Sequence, residues 1–209
     1  MKHNYSDAAL ILVDVQHDFI PGGALEVKEG DQIIPLINSF QGKFEHVIAT
    51  QDFHPADHGS FAANHAGKNP YDQIDLFGLN QTLWPVHCVQ GTKGAEFHPD
   101  LDQGRWEAIF QKGKNPEVDS YSGFFDNARR GATGLGDYLK EKGIRKVFVC
   151  GLALDYCVKF TALDAQSLGF ETSLITDATL AVNINPEDGA KAIKEMAAAG
   201  IHILTSKDL

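Results

Sequence analysis

Short apolar runs alternate with segments of helical apolar spacing along most of this chain, and no other feature of the sequence limits the fold as strongly. The runs cover residues 8–15, 44–51, 108–111, 147–151, 171–176 and 201–205. Lacking regular polar alternation, they suit strands buried on both faces, as in a parallel sheet. Between them, Asp31 can cap a helix through Ile33, Ile34, Leu36, Ile37 and Phe40, with Pro35 in its first turn and Gly42 at its end. Thr133 can cap a weak helix carrying Leu135, Tyr138 and Leu139. A third helix holds Val158, Ala162, Leu163, Ala165 and Leu168 and closes at Gly169, and a fourth starts at Asn185-Pro186 and runs to Gly200. This order predicts an α/β fold, a doubly wound parallel sheet flanked by helices. A chain of 209 residues fits one such domain, residues 1–209. The stretch from about 52 to 105 stands apart, with no sustained periodicity, and a connection of that length is usually functional.

A formal net charge of −10 disfavours nucleic acid and anionic membrane surfaces, because both require a local excess of Lys and Arg. Residues 1–7 contain no apolar segment of signal-peptide length, and no later run is long enough to cross a bilayer. Three cysteines, an odd number with no framework spacing, fit a reducing, cytoplasmic setting. The terminal Ser206-Lys207-Asp208-Leu209 lacks the acidic order of a retention signal.

Among the cysteines, Cys157 follows a strand and a glycine and sits where a helix begins, a place where backbone N–H groups favour a thiolate. Cys150, inside the apolar run, reads as an inert buried thiol. Asp14 interrupts the end of the first run, and ligands in open α/β sheets bind beyond the carboxyl ends of strands. Asp52 and His54 project to the same side at the end of the second strand and can share one cation, and His87 in Trp84-Pro85-Val86-His87-Cys88-Val89 can complete the set. A carboxylate with two imidazoles suits zinc, iron or manganese. His58, His65 and His98 read as hydrogen-bonded loop histidines. Lys114 follows the third strand and gains interest only beside Asp14 and Cys157, since a cation next to a thiol lowers its pKa. The aromatics of Asp119-Ser120-Tyr121-Ser122-Gly123-Phe124-Phe125 can wall a small pocket.

Taken in order, Val13-Asp14-Val15-Gln16 with Asp18-Phe19, Gln51-Asp52-Phe53-His54-Pro55, Trp84 to Val89, Lys112-Gly113, Asp119-Ser120-Tyr121-Ser122, Gly151-Leu152-Ala153 and Asp155-Tyr156-Cys157-Val158 span nearly the whole chain. In this pattern the chain resembles the nicotinamidases (pyrazinamidases) of the isochorismatase-like cysteine hydrolase family. The resemblance implies the isochorismatase-like hydrolase fold and a catalytic triad on Asp14, Lys114 and Cys157. It implies one divalent metal, zinc foremost, on Asp52, His54 and His87, with water completing the shell. Some relatives use a further histidine or acidic residue, for which His58 is the nearest candidate. It also implies an oxyanion hole from the N–H groups of Ala153 and Cys157 with a cis peptide between Leu152 and Ala153, and a pyridine pocket lined by Phe19, Trp84 and Tyr121. Two positions depart from the family pattern: His17 stands where asparagine is common, and Leu154 where threonine usually precedes Asp-Tyr-Cys.

The implied activity is hydrolysis of nicotinamide to nicotinate and ammonia through a cysteine thioester, in NAD salvage, with pyrazinamide as a second substrate. The implied partner is the small-molecule substrate alone, with no nucleic acid or membrane; a homo-oligomer is compatible with the sequence. The rivals are an amidase of the same fold acting on carbamoyl or ureido groups, isochorismatase proper, and a metal or redox module with Cys88 and Cys157 as thiol switches. The first has less reason to keep the metal trio, the second does not need the cysteine, and the third leaves Asp14 and Lys114 unexplained.

Overall fold

The computed structural model describes residues 5–209; residues 1–4, which the reading of the amino terminus includes, lie outside them. Six strands form one sheet: β1 (Ala8–Val13), β2 (His46–Asp52), β5 (Trp106–Lys112), β6 (Lys146–Leu152), β7 (Glu171–Leu180) and β8 (His202–Leu204). Their order is β5-β2-β1-β6-β7-β8, and every neighbouring pair is parallel. The expected parallel α/β sheet is therefore present. β1 is buried along its whole length, and its side chains divide by alternation. Ala8, Leu10 and Leu12 join Ile34, Ile37 and Phe40 of α1 (Ile33–Gln41) on one face. Ala9, Ile11 and Val13 pack on the other with Leu135 and Leu139 of α2 (Leu135–Glu141), Ala162 and Ala165 of α3 (Lys159–Ser167) and Met196 of α4 (Asp188–Ala198).

Several element ends differ from the sequence expectation, and each difference has a local cause. Asp31 does not cap α1; it lies in a one-turn 3₁₀ segment, Gly30–Gln32, that leads into the helix. The Asn185 N–H is bound to the Asp188 carboxylate at 2.8 Å, so a turn separates Asn185-Pro186 from α4. Thr133 does act at the start of α2, its hydroxyl accepting the Leu135 N–H at 3.1 Å. β5 continues to Lys112, where it pairs with Asp52 of β2. The 52–105 connection contains a hairpin of its own, β3 (Gln73–Leu76) and β4 (Leu79–Thr82), turning at Phe77-Gly78. Among the described residues no helix is long and apolar enough to cross a membrane.

The chain leaves β1 toward β2 on one side and later places β6 on the other, so the connections diverge between β1 and β6. A crevice opens at such a switch point beyond the strand ends. At that point the two strands approach closely: Gly151 of β6 has φ +112, and a Cβ on it would overlap the Val13 carbonyl oxygen. Gly151→Ala combines this overlap with a backbone conformation that L-residues rarely adopt. It is expected to destabilise the protein by about 3 kcal/mol or more, read from denaturant midpoints. A loss below about 1 kcal/mol would show that the two strands can separate without penalty.

Candidate active site

Asp14 is the first residue after β1 and adopts φ +47, which turns its side chain across the strand ends. Fully buried, its carboxylate accepts the Thr50 hydroxyl at 2.7 Å. Cys157 comes from the opposite side of the switch point. After β6, a peptide bond in cis joins Leu152 to Ala153, as the resemblance implied, and a single wide turn of π-type helix, Leu154–Val158, carries the thiol into α3. Between them lies a lysine, but not Lys114. Gly113, at φ +67, turns the chain out of the sheet, and Lys114 is exposed beyond it. The expectation for Lys114 is thereby corrected to Lys112. Its side chain is fully buried, and its Nζ lies 2.9 Å from Asp14 Oδ2, 2.9 Å from Asp52 Oδ1, 2.9 Å from the Ser120 carbonyl and 3.4 Å from Cys157 Sγ.

Charge explains why this lysine can be buried. Burial alone would lower its pKa, but Asp14, Asp52 and Cys157 outweigh it and hold the ammonium well above its usual range. Burial raises the Asp14 carboxyl, against the pull of Lys112. Burial also pushes the Cys157 thiol well up; Lys112 opposes this, while Asp14 and Asp52 add to it. Asp14 is thus suited to hold a proton and Lys112 to stabilise an anion on sulfur. Burial likewise raises Cys88 and Cys150.

Asp52 faces a second cluster with its other oxygen. His54 Nε2 lies 3.0 Å and His87 Nε2 3.3 Å from Asp52 Oδ2. His54 Nδ1 donates to the Gly113 carbonyl and His87 Nδ1 to the Pro85 carbonyl, both at 2.8 Å, since a carbonyl can only accept. In the neutral rings both Nε2 lone pairs then point at the same carboxylate oxygen, an arrangement that calls for a cation between them. A proton serves this purpose in part, because Asp52 raises His54 despite burial. A metal ion serves it fully, and the ligand atoms of Asp52, His54 and His87 all lie within 4.8 Å of one another. His58 packs on His54 with ring centroids 4.3 Å apart, and its Nε2 has no hydrogen-bond partner among the described residues. His58 Nδ1 lies 2.8 Å from the Ser60 hydroxyl and 3.2 Å from the Ser60 backbone nitrogen. His58 also forms a second group of potential ligand atoms with His54 and Asp119, all within 4.8 Å of one another. Burial, with the charge of His54 adding to it, lowers His58 to about 4, so the ring is neutral.

Phe19, Trp84 and Tyr121 line one pocket together with Asp52, His87, Ala153 and Cys157. Leu25, Asp119, Tyr156 and Val182 complete its wall. The sequence reading assigned no site role to these four or to Lys112. Nor did it give individual roles to Gln16 and Asp18. The Gln16 amide donates to the Asp52 carbonyl and accepts the Asp52 N–H, both at 2.8 Å, and Asp18 accepts the Cys88 N–H at 2.7 Å beside His87. Alternate residues after β1 thus reach the lysine, one metal-binding strand and the loop of another ligand. Of the two family departures, His17 lies near His98, with tilted rings whose centroids are 5.6 Å apart, and Leu154 packs in the core beside Gly189. Neither lines the pocket.

The isochorismatase domain model matches residues 8–208. The Escherichia coli (strain K12) nicotinamidase is 53% identical over 204 residues, covering 96% of this chain and 95% of that protein. An Acinetobacter baumanii nicotinamidase/pyrazinamidase structure superposes with a TM-score of 0.94 at 47% identity, covering 97% and 98% of the two chains. A Pyrococcus horikoshii pyrazinamidase solved in complex with zinc gives a TM-score of 0.77 at 41% identity, covering 95% and 99%. These matches run through both clusters and every strand that positions them, and the chain belongs to the isochorismatase-domain family.

Proposed function

We propose that the protein is a nicotinamidase: it hydrolyses nicotinamide to nicotinate and ammonia, and accepts pyrazinamide in the same site. The observation that carries this reading is the placement of a thiol, held by an aspartate–lysine pair, in one aromatic-walled pocket with two residues of a metal-binding trio. The relatives' activities and the zinc in the Pyrococcus structure support it.

In this mechanism Asp14 takes the Cys157 proton, and Lys112 stabilises the thiolate and the carboxyl beside it. The sulfur attacks the carboxamide carbon. The N–H groups of Ala153 and Cys157 receive the developing oxyanion, where one such donor is worth roughly 3–4 kcal/mol in other enzymes. Asp14 returns the proton to the leaving nitrogen, ammonia departs, and the acyl group remains on Cys157 as a thioester. Asp14 then activates a water molecule that releases nicotinate and restores the thiol. Phe19, Trp84, Tyr121 and Tyr156 hold the ring flat and exclude water. Asp52, His54 and His87 would hold a divalent metal, zinc in keeping with the zinc-bound Pyrococcus structure, supplying a Lewis-acid contact that orients a ring nitrogen.

The chain acts as one catalytic domain in which the 52–105 connection supplies metal and substrate contacts. The three unpaired, buried cysteines support a cytoplasmic setting. Incubation of the metal-loaded protein with nicotinamide is expected to release ammonia and nicotinate in equal amounts. Absence of ammonia would overturn the assignment.

A further inference from the structure

We propose that Asp155 is a positioning residue that sets which ring substituents the pocket admits, acting through the wall segment that carries Val182. The claim rests on the pocket being the carboxamide site described above. Asp155 lies two residues before Cys157 and is buried at 4% exposure, yet it faces neither Lys112 nor the metal trio. Its two oxygens are committed elsewhere. Oδ1 accepts the Val182 N–H and Oδ2 the Asn183 N–H, both at 2.9 Å. Bonds from backbone N–H groups to a buried carboxylate are among the stronger ones a protein makes.

The segment so held lies between β7 and α4 and belongs to neither. Val182 lines the pocket with Cys157, and Asn183 adopts φ +53. The Asn183 side chain in turn accepts the Gly189 N–H at 2.9 Å, in the first turn of α4. A Cβ on Gly189 would lie 2.9 Å from the Ala181 Cβ, so α4 is packed directly on this segment. The turn that presents the nucleophile therefore also fixes the position of Val182. The other walls are mainly aromatic rings that brace one another: Trp84 and Tyr156 have ring centroids 4.8 Å apart, and Tyr121 and Tyr156 5.4 Å. Val182 differs from these rings in lying on an irregular segment, where one carboxylate holds both the Val182 N–H and that of Asn183. Asparagine at 155 keeps the shape but sets an NH₂ group against one of the two N–H donors, which breaks one bond and repels the segment.

Steady-state kinetics of wild type, Asp155→Asn, Val182→Ala and the double variant are measured on nicotinamide and on its ring-methylated derivatives, which are isomers of one another. Thermal unfolding confirms that each variant is folded. Asp155→Asn is expected to raise KM for nicotinamide while leaving kcat within about threefold, and to raise the relative kcat/KM of at least one methylated isomer roughly tenfold, the scale of one methyl group in an apolar pocket. Val182→Ala should favour the same isomer, and the double variant should add little to either single change. Unchanged selectivity, or a fall in kcat at constant KM, would overturn the proposal. Should Asp155→Asn fail to fold, Val182→Ala and Asn183→Gly carry the test, and unchanged selectivity in both overturns it. Wild type inactive on nicotinamide would instead refute the assignment of the reaction, separately from any effect of these variants.

Discussion

Lys112→Met is expected to lower kcat by roughly 10³-fold, the scale seen when a charge-stabilising group is removed from an active site, while Lys114→Met leaves it within about twofold. The difference follows from position. Lys112 touches both carboxylates and the thiol, whereas Lys114 is exposed. Methionine keeps much of the packing but strands Asp14 and Asp52 without their shared cation, a change expected to cost about 3–5 kcal/mol of stability. The thiol provides a second readout. Lys112 lowers the Cys157 pKa against burial, so its loss raises that pKa further, and less thiolate is present at any given pH. Iodoacetamide alkylation of Cys157 should slow at neutral pH, and its pH profile should move to higher pH. An unshifted profile with full turnover would remove Lys112 from the mechanism.

The second large effect concerns the metal centre. His87→Ala and Asp52→Asn are both expected to lower metal retention by at least about 10²-fold, measured by metal analysis after dialysis. They should differ at the thiol. His87 is not among the groups in contact with Lys112, so its variant should be alkylated at close to the wild-type rate, with activity partly restored by excess zinc. Asp52 also holds Lys112 at 2.9 Å, so Asp52→Asn should alter the alkylation profile as well as metal content. Chelation of the wild-type protein should lower activity in the manner of His87→Ala, and zinc should restore it. Equal alkylation behaviour in the two variants would mean that Asp52 does not link the clusters.

The parts of this site that were legible in the sequence are those announced by local context. Asp14 interrupts an apolar strand, Cys157 stands at a strand-to-helix turn, and Asp52 and His54 share one side of a strand end. Lys112 was missed because two lysines flank Gly113, and local pattern does not distinguish them. The pairing of Lys112 with Asp52 across β5 and β2 decides between them, and that register is a long-range property. The same holds for Gln16, whose partner Asp52 is 36 residues away, and for Val182, fixed by Asp155 from 27 residues earlier. Element type was readable from apolar spacing; the ends of β5 and α4 were not, because Asp52 and Asp188 set them through contacts that spacing does not encode.

The central claim is that Cys157 carries the acyl group. Rapid acid quench during turnover of nicotinamide, followed by peptide mass analysis, tests it most directly. The account predicts a nicotinoyl adduct on the peptide containing Cys157, absent from the Cys157→Ala protein, which should release no ammonia. Ammonia released by Cys157→Ala at the wild-type rate, with no adduct on the wild-type peptide, would contradict it.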